Sequence, residues 1–306
     1  MKNKKVRILL STYNGEKYLE ELLSSLLKQT NVDVAISVRD DGSTDNTCQI
    51  LSRWQGLNGL AWHRGENLGP AKSFMSLIDE VPLDSDFYAF CDQDDVWKPD
   101  KLSEASKVLS NIDNTKPALY FGAVINVDAN LVPMADYNPY YTLNFGGALI
   151  VSNATGCTVV FNKCLLKKLK KYNPNYQIMH DAWAHKVCLA LGGTTIFDEN
   201  PHILYRHHDK NVIGKISTYK KNVCEKILGK IKMLYEKETY ISLQAQEILD
   251  GYKDEMSLEN IYLAECVANY RKNSINRLNL IINNKISTPY ILRNLKFKFK
   301  VLMGRI

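Results

Sequence analysis

The segment FYAFCDQDDVWKPD, residues 87–100, joins a short apolar run to a cluster of carboxylates. Residues 87–90 predict a buried strand, and Asp92, Asp94 and Asp95 follow it in a loop. Three negative charges within four residues repel one another, and their desolvation is costly unless a cation or hydrogen-bond donors compensate. The pattern therefore indicates a hard divalent cation that is held by carboxylate oxygens and bridges to phosphates.

The alternative for this loop is a polar segment that caps the next helix. Asp100 fits that alternative better, because it directly precedes the helical run at residues 101–104 and has the side chain of an N-cap. For Asp92 and Asp94 we favour the metal interpretation, because the surrounding sequence also points to a ligand site.

Short apolar runs alternate with segments of helical spacing through the first hundred residues. This alternation predicts a parallel sheet with helices on both faces, and such sheets bind ligands beyond the carboxyl ends of their strands. Polar residues follow three of the predicted strands. The strands are predicted at 6–10, 34–38, 60–63, 87–90, 118–125, 194–197 and 202–205, and the polar residues are Thr12, Tyr13, Asp40, Asp41, Asp92 and Asp94.

Neither of the common glycine-rich phosphate fingerprints, GxGxxG and GxxxxGK[ST], occurs in the chain. Their absence argues against a dinucleotide enzyme and a P-loop ATPase. A nucleotide bound here would need a metal at its diphosphate rather than a glycine cradle, and the acidic cluster can supply that metal.

The second half of the chain adds three further candidates. A Tyr/Asn/Pro-rich stretch at residues 134–144 suits a mobile loop on the acceptor side. Asp181 opens an apolar helix that ends at Gly192-Gly193, a position that suits an N-cap as well as a catalytic carboxylate. His207 and His208 are adjacent, so their side chains point in different directions and only one is expected to face a common site.

The composition is that of an ordinary globular protein, with 306 residues, 45% hydrophobic and 24% charged. The net charge is +6, but residues 215–306 hold 17 Lys+Arg against 9 Asp+Glu, and residues 266–306 hold nine basic residues and no acidic one. The positive charge thus belongs to a C-terminal helical region. Its segment 291–302 suits a helix on an anionic membrane surface or a solvated helix packed on the main domain.

No stretch approaches the apolar length of a membrane span. The N-terminal run at residues 6–10 is short and ends in polar residues, so we expect a first strand rather than a signal peptide. Seven scattered cysteines without a CxxC pair fit reduced thiols in a cytosolic protein. Cys91 is expected to be a small buried hydrophobe.

Several ordered motifs resemble one family. The strings STYN at 11–14, DDGSTD at 40–45, DQD at 92–94 and HDAW at 180–183 occur in the order typical of family 2 glycosyltransferases of the GT-A fold. The resemblance covers roughly residues 5–214. It implies a Rossmann-like central mixed sheet flanked by helices at 1–214, followed by a basic helical region at 215–306 for membrane association or oligomerisation. The longer strings CDQDDVW at 91–97 and YRHH at 205–208 are similar to the bacterial rhamnosyltransferases that build surface polysaccharides.

The resemblance also implies roles for single residues. Asp181 would be the catalytic base, Asp94 and His208 would bind Mg²⁺ or Mn²⁺, and Asp92 would face the ribose and the metal shell. Asp41 would contact the nucleotide base. The residues assigned to donor binding are Thr12, Tyr13, Asp40, Asp41, Lys72, Asp92 and Arg206.

The reaction implied is an inverting, metal-dependent transfer of a sugar to a hydroxyl of a glycan that is lipid-linked or an oligosaccharide. We expect dTDP-β-L-rhamnose as donor, with a UDP-hexose as alternative. A metal-dependent nucleotidyltransferase and a non-catalytic binding module are the rival classes. We expect no nucleic-acid partner, a cytoplasmic protein with peripheral membrane contact, and C-terminal helices that could also serve a homodimer.

Overall fold

A computed structural model describes residues 3–56, 59–134, 141–152, 154–176, 179–208 and 237–306. Within these ranges the strands form two sheets, one of seven strands and one of three. Residues 8–10, 87–91, 118–122 and 160–162 of the inner strands of the larger sheet are buried on both faces, which is why these segments are largely apolar. In the first strand, for example, Leu9 faces one hydrophobic cluster while Ile8 and Leu10 face the other.

The N-terminal part alternates strands and helices as the sequence predicts. The four strands are mutually parallel, with the first strand paired to the second and the fourth, and the second to the third. The elements are β1 (Lys4–Thr12), α1 (Leu19–Leu26), β2 (Val32–Asp40), α2 (Thr47–Trp54), β3 (Leu60–Arg64), α3 (Pro70–Glu80) and β4 (Phe87–Cys91).

The following part completes both sheets. Its elements are β5 (Val96–Trp97), α4 (Lys101–Ser110), β6 (Ala118–Gly122), β7 (Ile125–Val127), α5 (Phe145–Ile150), β8 (Val160–Asn162), α6 (Lys163–Leu169), α7 (His180–Ala190), β9 (Thr194–Asp198) and β10 (Ile203–Arg206). The larger sheet has the order β3-β2-β1-β4-β8-β6-β9, and β8 runs antiparallel to both of its neighbours. The predicted α/β fold with a central mixed sheet is confirmed.

Two local predictions differ from the structure. The apolar run 118–125 is not one strand, because β6 ends at Gly122 and β7 joins the small sheet β5-β10-β7. Asp100 stands at the N-cap position of α4 without capping it, and its carboxylate lies 3.0 Å from Nδ1 of His202 instead.

The C-terminal helices are α8 (Tyr240–Tyr252), α9 (Leu258–Ala268), α10 (Ser274–Ile282) and α11 (Ile291–Leu302). Their buried side chains, such as Ile248 of α8 and Val301 of α11, belong to the same hydrophobic cluster as Trp183 of α7. The predicted boundary at 214/215 lies outside the described residues. No helix in the described part of the chain is long and apolar enough to cross a membrane.

Candidate active site

The carboxyl ends of three parallel strands meet at one edge of the larger sheet. Thr12 at the end of β1 pairs with Asp40 at the end of β2, and Leu10 pairs with Cys91 at the end of β4. The loops that follow these strands are therefore neighbours. They carry most of the residues that the sequence analysis assigns to donor binding or metal binding.

Asp40 and Asp41 form the first acidic pair, and both are buried. Asp40 accepts hydrogen bonds from Oγ1 of Thr12 at 3.1 Å and from the backbone N–H of Ser43 at 2.9 Å. Asp41 forms an ion pair with Arg39, and the backbone N–H groups of residues 68 and 69 each donate to it at 2.9 Å. Both carboxylates thus hold the loop after β2 against its neighbours.

Tyr13 and Lys72 are the exposed members of the predicted donor site. The side chain of Tyr13 is 46% exposed at the sheet edge, where a planar ligand can stack on it. Its backbone contacts Gln93, whose Oε1 accepts from the Tyr13 N–H at 2.8 Å and whose Nε2 donates to the Tyr13 carbonyl at 2.9 Å. Lys72 lies exposed in the first turn of α3.

The acidic loop after β4 has different surroundings. No protein hydrogen bond is made to the carboxylate of Asp92 in the described part of the chain. Burial and the negative charges of Asp95, Asp94 and Asp181 raise the pKa of Asp92 well above its usual value. A carboxylate with this environment is one that an added cation would stabilise.

Asp94 and His208 are brought together although 114 residues separate them. Oδ2 of Asp94 lies 2.7 Å from Nε2 of His208, and the His208 ring stacks on Tyr18 with 5.2 Å between centroids. His207 points elsewhere, with Nε2 2.8 Å from Oδ1 of Asn126. His208 is therefore the histidine that faces the acidic loop.

Asp95 and Cys157 lie beneath this surface, and sequence reasoning assigned neither of them a role. One carboxylate oxygen of Asp95 accepts the backbone N–H of Arg206 at 3.0 Å. Ligand atoms of Asp92, Asp95 and Cys157 all lie within 4.8 Å of one another. Burial and the charge of Asp94 raise the pKa of Asp95. Asp95 was visible in the sequence as the third acid of the cluster, whereas an isolated Cys157 carries no such signal.

Arg206, predicted to bind the donor, lies buried beneath the acidic loop. Its Nε donates to the carbonyl of Asp94 at 2.8 Å and its Nη1 to the carbonyl of Ala129 at 2.7 Å. It also pairs with Glu21 of α1. These contacts tie the acidic loop to β10 and to the first helix.

Asp181 is the second residue of α7, and Met179 is the N-cap, so Asp181 does not serve as the cap. Its Oδ1 accepts the backbone N–H of Ala182 at 2.6 Å. Burial raises the pKa of Asp181 to about 6, although hydrogen bonds and the charge of Lys186 act in the opposite direction. The backbone N–H of Gly156 also donates to the Asp181 carboxylate, and the neighbouring Cys157 lies beside Asp92 and Asp95, so the candidate base lies near the acidic loop.

The residue before it, His180, belongs to the core. Its ring stacks on Phe74 with 3.6 Å between centroids and meets the edge of Phe90 at 4.5 Å. Burial lowers the pKa of His180 to about 3, so the ring is neutral at physiological pH. His180 therefore supports Asp181 from behind rather than taking part in proton transfer.

The residues present fit a divalent cation. Asp92 lacks protein donors, and Asp94 with His208 adds a carboxylate and an imidazole at the same edge. Carboxylate oxygens suit Mg²⁺ and Mn²⁺, and Mn²⁺ also accepts imidazole. Asp92, Asp94 and His208 are thus the side chains that would hold the ion.

A mixed sheet with carboxylates gathered at one edge is the architecture that the sequence resemblance predicts. Residues 7–170 match the family model "Glycosyl transferase family 2", and the chain belongs to that family. It is 30% identical over 230 residues to the dTDP-rhamnosyl transferase RfbG of Shigella flexneri, covering 69% of this chain and 75% of that protein.

Two solved structures share the fold at low sequence identity. One is Staphylococcus aureus TarS 1–349 in complex with UDP-GlcNAc, with a TM-score of 0.56, 17% identity, and coverage of 98% of this chain and 91% of that one. The other is the mannosyltransferase PcManGT of Pyrobaculum calidifontis in complex with GDP-Man and Mn²⁺. It has a TM-score of 0.50 and 16% identity, and covers all of this chain and 89% of that one.

Proposed function

We propose that this glycosyltransferase is an inverting, metal-dependent enzyme that moves L-rhamnose from dTDP-β-L-rhamnose to a hydroxyl of a glycan acceptor. The observation that carries the proposal is that Asp181 lies at the acidic loop: the backbone N–H of Gly156 donates to its carboxylate, and the thiol of the next residue, Cys157, lies within 4.8 Å of a ligand atom of Asp92. Support for the donor comes from the similarity to the dTDP-rhamnosyl transferase of Shigella flexneri.

Different loops at the sheet edge would contact different parts of the donor. Tyr13 offers an exposed aromatic face for the nucleotide base, and the loop held by Asp40 and Asp41 flanks it. Lys72, in the first turn of α3, offers a cation for the donor phosphates. Arg206 acts through the acidic loop, because its guanidinium holds the Asp94 carbonyl.

The cation, Mg²⁺ or Mn²⁺, neutralises the diphosphate leaving group when bound. Asp92, Asp94 and His208 would hold it. Support comes from their donor atoms and from the Mn²⁺ in the mannosyltransferase complex of the same fold.

Asp181 acts as general base toward the acceptor hydroxyl. A pKa of about 6 keeps it ionised at neutral pH while leaving it more basic than an exposed carboxylate. A single displacement at the anomeric carbon inverts it, so a β-linked donor yields an α-rhamnoside. The oxocarbenium-like transition state is that of glycoside hydrolysis, with a sugar hydroxyl in place of water.

We also propose a lipid-linked glycan as acceptor, in the assembly of a bacterial surface polysaccharide at the inner face of the cytoplasmic membrane. The cationic C-terminal helices support this placement, because the inner leaflet carries anionic lipids.

Ligand-induced stabilisation tests the donor first. The melting temperature is measured with Mn²⁺ alone and with Mn²⁺ plus dTDP, UDP or ADP, since a ligand of the native state raises it in proportion to affinity. A metal-dependent shift with dTDP that is lost in Asp94→Ala supports the rhamnosyl donor. A shift with UDP alone favours a UDP-hexose donor, and no shift with any nucleotide contradicts the proposal.

Product analysis distinguishes the proposed glycosyltransferase from a metal-dependent nucleotidyltransferase. A glycosyltransferase releases the nucleoside diphosphate from the sugar nucleotide. A nucleotidyltransferase would instead consume a nucleoside triphosphate with a sugar phosphate and release pyrophosphate. Chromatography of both incubations distinguishes the two reactions.

A further inference from the structure

The last two helices of the chain expose apolar side chains where a helix of a globular protein normally exposes polar ones. On α11, Phe297, Lys300 and Val301 are buried in the core. The opposite side of this helix carries Ile291, Leu292, Leu295 and Leu302, which are 59–83% exposed. At 100° per residue these four side chains fall within one face. We call this set the α11 apolar face.

The neighbouring helix repeats the pattern. Ile275, Leu278 and Ile282 of α10 recur with the i, i+3, i+7 spacing of one helix face, and each is 57–69% exposed. The two helices are in contact, because Nη1 of Arg277 in α10 donates a hydrogen bond to the carbonyl of Leu302 in α11 at 3.4 Å. Each helix thus carries an exposed apolar face that is larger than scattered single side chains would make. We call the two faces together the α10–α11 surface.

The charged side chains of the last 41 residues, which include both helices, are all positive. Residues 266–306 hold nine Lys+Arg and no Asp or Glu. Three of these cations form ion pairs with Glu238 or Glu259. Lys272 and Lys298 form no ion pair in the described part of the chain. Lys298 lies at the edge of the α11 apolar face, between Leu295 and Leu302 in the sequence.

We propose that the α10–α11 surface docks on an anionic lipid bilayer, with its leucine and isoleucine side chains among the acyl chains and its lysines at the headgroups. The charge pattern favours this occupant over a second copy of the chain. A two-fold dimer through the surface would place the same cations opposite each other, whereas anionic headgroups are complementary to them.

The helix length agrees with an orientation along the surface. Twelve residues of α11 span about 18 Å at 1.5 Å per residue, well short of the ~30 Å core of a bilayer. The proposal extends the membrane contact suggested above by naming its surface, and vesicle binding tests it without any sugar transfer.

Co-sedimentation with vesicles tests the surface. The wild-type protein is expected to bind vesicles of phosphatidylcholine with ~30 mol% phosphatidylglycerol, because their surface potential is negative. It should remain in the supernatant with vesicles of pure phosphatidylcholine. The double variant Leu292→Ser/Leu295→Ser should bind the anionic vesicles at least ~10-fold more weakly, because burial of each leucine contributes to affinity. Lys272→Glu/Lys298→Glu should lower binding to them as well.

The control is Val132→Ser, because Val132 is 56% exposed far along the chain from this surface. It should bind like the wild type, and all variants should melt at the wild-type temperature, since the replaced side chains are exposed. Equal binding by the wild type and both double variants would overturn the proposal, as would failure of the wild type to bind anionic vesicles. A dimer in sedimentation velocity that Leu292→Ser/Leu295→Ser dissociates would assign the surface to a second copy instead.

A second, independent inference concerns Gln93, the middle residue of the acidic triplet. Its amide makes two reciprocal hydrogen bonds with the backbone of Tyr13, so its side chain is directed toward the protein. We infer that Gln93 is a positioning residue that locks the loop after β1 to the acidic loop. Asp92 and Asp94, on either side of it, are thereby set at a fixed distance from the exposed ring of Tyr13.

Gly15 leaves the space that this lock requires. A Cβ on Gly15 would lie 2.3 Å from Oε1 and 2.8 Å from Cδ of Gln93, and its three nearest contacts all belong to that amide. Replacing Gly15 by alanine should therefore displace Gln93. The same replacement should be harmless once the Gln93 side chain has been shortened.

A double-mutant cycle tests the lock. The affinity for dTDP with Mn²⁺ is measured by calorimetry for the wild type, Gln93→Ala, Gly15→Ala and the double variant. This test rests on the proposed nucleotide site. Each single variant should weaken binding about 10-fold, a typical cost for losing two hydrogen bonds, and the double variant should be no weaker than Gln93→Ala.

The outcomes separate the lock from the function. A wild type that binds no nucleotide contradicts the proposed function. A wild type that binds, with variants of equal affinity or with fully additive losses, contradicts the lock. Gln93→Met keeps the length of the side chain but loses both hydrogen bonds without adding a charge, so its loss of affinity should match that of Gln93→Ala.

Discussion

The two acidic loops at the edge of the sheet use the same residue type in opposite surroundings. Asp40 and Asp41 are surrounded by donors, namely a hydroxyl, backbone N–H groups and Arg39. In the described part of the chain Asp92 has no protein donor, and its pKa is raised by burial and by three neighbouring carboxylates. The carboxylates of the first pair are balanced by the protein itself, whereas we infer that the Asp92 carboxylate is balanced by a bound ligand.

The largest effect should follow from removing the base that faces the second loop. Asp181→Asn is expected to lower sugar transfer by roughly 10²–10⁴-fold, the usual contribution of a general base. Its affinity for dTDP should stay within about 2-fold of the wild type, because the side chain faces the acceptor. Initial rates and calorimetry provide the two measurements.

Asp33→Asn is a suitable control, because Asp33 is exposed on β2. It should change neither quantity. A parallel loss of nucleotide affinity in Asp181→Asn would show that Asp181 has a structural role. It would also contradict the difference that we infer between the two loops.

A substitution in the first loop, which follows β2, should lower the free energy of unfolding. Asp41→Asn removes the partner of buried Arg39, and breaking a buried ion pair costs about 3–5 kcal/mol. Urea unfolding without nucleotide measures the free energy of unfolding. A change below about 1 kcal/mol, which is the scale of an exposed pair, would remove the difference between the two loops.

Activity should rise with pH as the base ionises. Because the pKa of Asp181 is raised to about 6, its deprotonated fraction and hence kcat should increase roughly 10-fold from pH 5 to pH 7 and level off above it. The charge of Lys186 lowers this pKa, so Lys186→Met should move the midpoint to higher pH. Rates across pH 4.5–8.5 check both statements. A wild-type midpoint near 4 would contradict a buried base.

The smallest effect is expected at Asp92. Asp92→Asn removes one of several mutually repelling carboxylates, so the free energy of unfolding without metal at pH 7 should stay equal or rise by about 1 kcal/mol. The same variant should bind dTDP and Mn²⁺ more weakly. Destabilisation comparable to that of Asp41→Asn would show that Asp92 has structural donors of its own.

Much of this arrangement could be predicted from the sequence. The period of the apolar runs located β1 to β4, and the position of the polar residues beyond their ends indicated the ligand edge. The resemblance to the family selected Asp94 and His208, which the structure brings within 2.7 Å. Their assigned roles in metal binding remain predictions.

Other features depend on packing between distant segments, and local pattern carries no signal for them. Cys157 reaches the acidic loop through a 3₁₀ turn that the apolar run 154–161 conceals. Sequence reasoning assigned no role to Gln93, whose partner is a backbone 80 residues away. Arg206 was assigned to donor binding, while its Nε donates to the acidic loop from beneath.

The distance in sequence between Asp94 and His208 also sets an order of events during synthesis. β1 and β2, which end at Thr12 and Asp40, and β4, which precedes the loop of Asp94, are complete within the first hundred residues, whereas His208 follows 114 residues after its partner. A chain still growing on the ribosome therefore holds the acidic loop long before it holds His208. Closure of so long a loop comes late, so we expect a chain truncated before His208 to lack this pair.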